Sequence, residues 1–339
     1  MAGFVHLWDG LSTNPWSRGF IYGALIIGAG FGICTWTTWF ERKLSARIQV
    51  RRGPTMVGKH GWLQPIADTI KLFRKEEVVP KNADPFLFRI APYLTLFLVV
   101  ATAATVPLSP DILIADLDIG LLWILAMAGL MIFPMWIAGW SSNNKFALLG
   151  SMRAVAQGLS YEIPMVLSAM VPVVLAGSLS LSDIVQYQIE HGWFLYWPLG
   201  PGGVAFVIFY LASLAEANRI PFDIPEAESE LVSGFTIEYT GIAYGLFPIA
   251  EYLHTLIVSA VASALFLGGW DGPFADGLFW MVLKTLILFA LILWIRWSLV
   301  RFRADQLMRL CWTWLIPLSL AMVALAAIWV HFTSPGGAS

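Results

Sequence analysis

"LLWILAMAGLMIFPMWIAGW", residues 121–140, runs for twenty residues without a charge, and its reading decides the fold. A helix rises about 1.5 Å per residue, so a run of this length crosses the ~30 Å hydrocarbon core of a bilayer. The rest of the chain has the same character. Of its 339 residues, 58% are hydrophobic and only 12% charged, with a mean hydropathy of +0.73. Soluble domains are about a quarter charged, which excludes a soluble enzyme and points to a polytopic membrane protein. Working outward from 121–140, eight apolar runs of helix length fall at 19–40, 87–107, 119–140, 154–177, 202–218, 236–267, 276–299 and 310–332. The expectation is an all-α polytopic membrane protein of eight transmembrane helices, a single integral-membrane domain over residues 1–339. Residues 1–17 are neither basic nor continuously apolar, so the spans themselves are expected to direct insertion.

Charge placement sets the orientation. Of 20 Lys and Arg, eleven lie between Arg42 and Arg89, and Lys145, Arg153, Arg219, Arg296, Arg301, Arg303 and Arg309 border the other loops on the same side. The three intervening loops, around 108–120, 177–200 and 268–277, contain none. The positive-inside rule therefore places both termini on the periplasmic side and the basic loops in the cytoplasm. These loops are a long basic one (41–86), an acidic one (219–235) and a second basic one (300–309). Within the first, Leu63, Ile66, Ala67, Ile70 and Phe73 form one helical stripe, with Asp68, Lys71, Arg74 and Lys75 on other faces. Such a helix lies in the membrane interface or packs on the bundle.

Several motifs are set aside. "GPTMVGKH" (53–60) nearly fits a phosphate-binding loop, but His60 replaces the hydroxyl residue and no strand precedes it. "GAGFG" (28–32) lies inside a span, where small residues permit close helix packing. Cys34 and Cys311 are too few for an iron–sulfur cluster and read as small core hydrophobes. Glu251 and His254 form half of a di-metal helix motif without its second copy, so no metal is expected. The basic segments read first as topology signals at lipid headgroups, and no nucleic-acid partner is expected.

The acidic residues resist a bland reading. "AEANRIPFDIPEAESELVSGFTIEY" (215–239) sets Glu216, Asp223, Glu226, Glu228, Glu230 and Glu238 against Arg219 alone. Glu162, Glu216 and Glu251 fall within spans, where an ionisable side chain costs roughly 2.5–3.5 kcal/mol on insertion scales and marks a buried or water-lined site. Carboxylates clustered in low dielectric cannot all ionise, so the group titrates as a coupled unit. A solvated loop paired with basic partners remains an equal reading for Glu226, Glu228 and Glu230. A helix over 226–230 would put Glu226 and Glu230 on one face, with Glu228 turned away.

Four segments together resemble one family closely: "SMRAVAQGLSYEIP" (151–164), residues 215–239, "FPIAEY" (247–252) and "WIRWSLVRFRADQLMRLCWTWLIPLSLA" (294–321). With "ERKLSARIQVRRGPTMVGKHGWLQPIADTIKLFRKE" (41–76), they resemble the H-type membrane subunits of bacterial NADH:quinone oxidoreductase, respiratory complex I, over roughly residues 40–320. The mitochondrial counterpart of that family is the first ND subunit. Thr55–Met56 departs from the family's usual Asn–aliphatic pair, and His254 occupies a position where the family's polar residue varies. The resemblance implies an eight-helix subunit of the bacterial inner membrane that forms the quinone-access tunnel and links quinone reduction to proton translocation. By matching positions, Arg42, Arg51, Asp68, Lys71, Arg296 and Arg303 fall along the quinone tunnel. Glu162, Glu216, Glu226, Glu228, Glu230 and Glu251 match the family's acidic proton-relay funnel. Quinone, ubiquinone by analogy, is implied as substrate, with FMN and iron–sulfur clusters in peripheral-arm partners and small membrane-arm subunits as neighbours. Three alternatives stand at this point: a homologous subunit of a membrane-bound hydrogenase or ferredoxin-linked complex, a stand-alone proton-coupled transporter, and a structural anchor.

Overall fold

The computed structural model describes residues 15–333 apart from 111, 114, 197–200, 227 and 274–275; the side chains of 15–27, 29, 228 and 229 also lie outside the described residues. Among the described residues every regular element is helical, and Ser109 and Ile112 form an isolated β-bridge. In chain order the α-helices are α1 (Pro15–Ile48), α2 (Gln64–Arg74), α3 (Pro85–Ala103), α4 (Gly120–Leu130), α5 (Ile132–Ser141), α6 (Lys145–Ala176) and α7 (Leu181–His191). They continue with α8 (Pro201–Glu216), α9 (Glu228–Leu231), α10 (Gly241–Phe266), α11 (Leu278–Ser298), α12 (Ala304–Leu310) and α13 (Ile316–Thr333).

Among the described residues, six helical runs are long and apolar enough to cross a membrane: α3, α4–α5 joined through Met131, α6, α10, α11, and α12–α13 joined through a π turn at Cys311–Leu315. Two more helices coincide with predicted runs. One is α8, a shorter apolar helix, and the other is α1, of 34 residues. Backbone polar groups have no water to bond in a bilayer core, which is why helices carry these segments. Pro92, Pro164, Pro172 and Pro248 stand inside α3, α6 and α10, tolerated because neighbouring helices enclose those turns.

Burial ranks the helices. In α10, 83% of the apolar window is buried, against 17% in the α12–α13 run, so α10 is the central post. Phe266 of α10 packs edge-on to Phe206 of α8, and Phe209, Phe289 and Leu265 fill the same core. A second apolar cluster pins the end of the acidic segment. Tyr239 stacks on Phe88 of α3 with ring centroids 4.1 Å apart, donates its hydroxyl to the Phe88 carbonyl, and meets Phe247 of α10 edge-on.

Three boundaries depart from expectation. Helix α1 continues two turns past residue 40, because "ERKLSARI" is rich in helix-forming residues and Glu41 is held from inside. The last helical run begins at Ala304, where Gln306 caps the Arg303 amide, so little of 300–309 is loop. The predicted helix over 226–230 starts only at Glu228, which separates Glu226 from Glu230. The amphipathic helix is present as α2. Trp62 at its start packs on Trp36 of α1, Leu72 lies against Gly245 of α10, and Ile66, Ile70 and Phe73 face outward.

Asp84 caps α3 by accepting from the amides of Phe86 and Leu87, with Pro85 at the first helical position. Asp84→Ala should cost about 1 kcal/mol and lower the thermal midpoint in detergent, while Asp84→Asn stays close to the parent.

Candidate functional site

The site is built where α8 ends against α6 and α10. Gln157 of α6, 1% exposed, donates to the carbonyls of Ala215 (2.7 Å) and Phe222 (2.9 Å), clamping the turn that follows α8. Asn218 takes a left-handed conformation (φ 48°), which asparagine adopts more readily than most residues and which ends the helix. The chain then turns so that Arg219 points inward, 5% exposed.

Arg219 lies over the Tyr252 ring, 4.2 Å from its centroid, with Nη2 3.9 Å from Glu251 Oε2. The Tyr252 hydroxyl donates to one carboxylate oxygen of Glu41, and Arg296 donates to the other. One turn along α10, His254 Nε2 stands 3.2 Å from Glu216 Oε1. Arg301 reaches the Asp223 carbonyl and lies 3.7 Å from its carboxylate. Four helices thus contribute to one buried ionic cluster, among them α1 through Glu41, α8 through Glu216, and α10 through Glu251, Tyr252 and His254. The turn after α8 adds Arg219, and α11 adds Arg296.

Among the described residues, Glu41, Glu226 and Glu251 lie close to the guanidiniums of Arg219 and Arg296, and Glu216 faces His254. Glu226 and Glu251 stand close enough for their carboxyl groups to interact. Burial, then the charges of Glu251 and Asp223, push the Glu226 carboxyl well above the usual range, against Arg219 and Arg296. Glu216 Oε2 and Glu251 Oε1 are buried without a hydrogen-bond partner, leaving lone pairs free to accept. The chemistry such an arrangement supports is proton exchange under the control of neighbouring positive charge.

The sequence-predicted relay residues do not all gather here. Glu216, Glu226 and Glu251 do. Glu162 sits beside them, close enough to Glu216 for their charges to interact, and lines an open cleft of about 400 Å³ with Ala126, Gly129, Phe133, Trp136 and Met152. Glu230 does not join. It is exposed and pairs with Arg153 at 2.5 Å, whose hydrogen bond and charge hold its carboxyl below the ordinary range. The Glu228 side chain lies outside the described residues.

The predicted tunnel residues also divide. Arg42 Nη1 bonds Asp68 at 2.7 Å, with Lys71 3.8 Å from the same carboxylate and Gln64 donating to it, all toward the surface. Although partial burial opposes it, the Arg42 and Gln64 bonds hold Asp68 below the usual carboxylate range. Arg51 is exposed and donates to Gln49, and Arg303 is exposed in a cleft of about 220 Å³ with Arg153, Arg301 and Glu230. Arg296 alone of the six joins the buried cluster. Glu41 and Arg42 are consecutive on α1; the first is buried against Arg296, and the second stands outside against Asp68.

Sequence reasoning misses Glu41, Tyr252 and the inward role of Arg219. By sequence Glu41 is the first loop residue; its signal is a lone acid at the end of a span beside Arg42 and Lys43. His254 stands one turn from Glu251, the spacing of half a metal motif. Nothing in the local sequence marks Tyr252.

The chain matches the NADH dehydrogenase family over residues 21–327. It is 44% identical to the H-type subunit of NADH-quinone oxidoreductase from Dehalococcoides mccartyi, over 93% of this chain and 88% of that protein. It is 41% identical to the protein of the same name from Magnetococcus marinus (97% and 95% covered) and 40% identical to that from Thermomicrobium roseum (92% and 97%).

A proton held between Glu226 and Glu251 would have a spectroscopic signature. Infrared spectra at neutral pH should contain a protonated-carboxyl C=O stretch that shifts in D₂O and is lost in Glu226→Gln. A parent spectrum without that band would mean the pair holds no proton.

Proposed function

Because the chain belongs to the NADH dehydrogenase family as an H-type, multi-pass component of NADH-quinone oxidoreductase in the respiratory membrane, we propose that its buried cluster couples quinone reduction to proton transfer. The observation that carries this reading is the junction at Glu41 and Arg42. One residue faces the enclosed ionic cluster and the next faces the charged surface group of α1 and α2.

In this reading the eight helical runs all cross the bilayer, α1 and α8 included, with both termini on the periplasmic side and the basic loops in the cytoplasm of a bacterial cell. A quinone enters beside α1 and α2, guided by Arg42, Arg51, Asp68 and Lys71, with Arg296 and Arg303 completing the charged approach. The reduced headgroup carries transient negative charge, which the arginines stabilise and orient. Arg296 and Glu41 pass that change to Tyr252 and Arg219 because they are in direct contact. As Arg219 is drawn toward or away from Glu251, the shared proton shifts among Glu226, Glu251, Glu216 and Glu162. Glu228 belongs to the same relay, and Glu230 with Arg153 guards its cytoplasmic rim.

The protons leave through the Glu162 cleft to small membrane-arm neighbours. Electrons arrive from peripheral-arm partners that hold FMN and the iron–sulfur clusters. This chain supplies a cavity, an electrostatic switch and a proton relay. No side chain of it changes redox state.

Glu216→Gln should lower NADH:quinone turnover by about a hundredfold, the low end for losing a positioned proton-transfer group, and leave NADH oxidation by an artificial acceptor unchanged. Equal loss of both rates would point to failed assembly and sink the relay. Arg51→Ala should raise the KM for a short-chain quinone with little change in kcat; unaltered kinetics would remove Arg51 from the quinone path.

A further inference from the structure

Of the 20 Lys and Arg, only Arg18 and Lys284 fall outside the basic loops and their borders. Lys284 is 7% exposed in α11, at the end remote from Arg296 by twelve residues, about 18 Å of helix. A charge there contradicts the pattern followed by the rest of the chain, and its surroundings are built for it. The ammonium donates to three backbone carbonyls, Leu267 (2.5 Å), Gly269 (3.1 Å) and Asp271 (2.6 Å), which uses all three of its N–H groups. The Trp193 ring closes the fourth side with its centroid 4.0 Å from Nζ.

The cage walls are themselves fixed. Trp193 gives its indole N–H to the Asp271 carboxylate at 2.5 Å, so that carboxylate is engaged elsewhere while the Asp271 carbonyl serves the lysine. Gln188 holds the Ala264 carbonyl (2.8 Å) with its amide N–H and the Gly268 amide (3.0 Å) with its oxygen. Gly268 (φ 70°) and Gly269 (φ 50°) supply the left-handed backbone that closes this turn, and a Cβ at Gly268 would come within 2.7 Å of Trp193. Among the described residues, no carboxylate forms an ion pair with Lys284.

The cage stands at the end of a polar ridge on α10. Glu251, Thr255, Ser259 and Ser263 recur every four residues, and the last three are no more than 1% exposed. Thr255 and Ser259 donate their hydroxyl protons to the carbonyls one turn earlier, so their oxygens remain free to accept. The Ser263 hydroxyl is buried without a partner, and the Ser263 carbonyl receives the amides of Leu267 and Gly269, whose own carbonyls hold Lys284. The ridge spans about 24 Å from Glu251 to Leu267.

We propose that Lys284 is an electrostatic stop at the outer end of this ridge, a fixed positive charge that prevents protons exchanged at Glu251 from escaping across the membrane. In low dielectric, a proton approaching along the hydroxyls meets an ammonium that makes no direct ion pair, the Asp271 carboxylate standing beyond the Trp193 indole. The stop rests on the proposed orientation and on Glu251 as a proton-exchanging group, but not on quinone. Its test therefore runs without NADH.

The intact complex is reconstituted in proteoliposomes, and the decay of an imposed pH gradient is followed with an ionophore balancing charge. Lys284→Gln keeps donors for the carbonyls but removes the charge, and should speed the decay several-fold. Lys284→Arg should stay as tight as the parent, and adding Ser263→Val to Lys284→Gln should restore tightness by breaking the ridge. NADH oxidation by an artificial acceptor reports assembly in each case. Parental decay in Lys284→Gln, a leak that Ser263→Val does not touch, or failure of the Gln variant to assemble would each overturn the stop. Because the decay is read without NADH or quinone, a failure of the stop leaves the quinone reading standing, and the reverse holds too.

Discussion

Arg219 is a guanidinium enclosed by helices, and the architecture around it follows from keeping that charge compensated. Burying an unpaired cation costs several kcal/mol, and removing a partner from a buried pair typically costs about 3–5 kcal/mol. Glu251 and the Tyr252 face meet Arg219 directly, while Glu41 acts at one remove through Tyr252. Those residues come from α1 and α10, so the charge ties together helices distant in sequence. Gln157 fixes the turn from α6, and the Phe88–Tyr239–Phe247 cluster anchors the far end of the acidic segment. In the proposed reading, the excess of carboxyl groups over cations lets the cluster hold protons that a small change in nearby charge can move.

The fold was legible because bilayer physics writes itself plainly. Uncharged runs such as 121–140 are composition signals, and they reappear as helices with boundary shifts of a turn or two. Glu162, Glu216 and Glu251 stood out for the same reason, as charges in apolar surroundings. What depends on distant pairing was not legible. Glu41 and Arg296 are 255 residues apart, and no local pattern joins them. Glu226 and Glu230 look equivalent in sequence, yet the late start of α9 sends one to Glu251 and the other to Arg153. Lys284 broke the charge rule because its compensation comes from backbone carbonyls, which every sequence contains.

Membership of the NADH dehydrogenase family supplies the setting, and the ionic network supplies the contacts for the proposed route through this chain. The route needs no long-range conformational change. Each step is a contact: Arg296 on Glu41, Glu41 on Tyr252, Tyr252 beneath Arg219, and Arg219 beside Glu251. Consecutive residues Glu41 and Arg42 make α1 the seam between the exposed charged group and the enclosed one. A helix is stiff over a single residue, so displacement at Arg42 is felt at Glu41.

The central claim is that the buried carboxylates change protonation when quinone is reduced. Proton uptake by the detergent-solubilised complex, followed with a pH-indicator dye during a single NADH-driven reduction of bound quinone, tests it most directly. The account predicts net uptake or release that differs from the single proton per NADH which the overall reaction takes from solution (two go to the quinol and one comes from NADH), with the difference abolished in Glu251→Gln. Uptake of that one proton alone, identical in the parent and in Glu251→Gln, would contradict it.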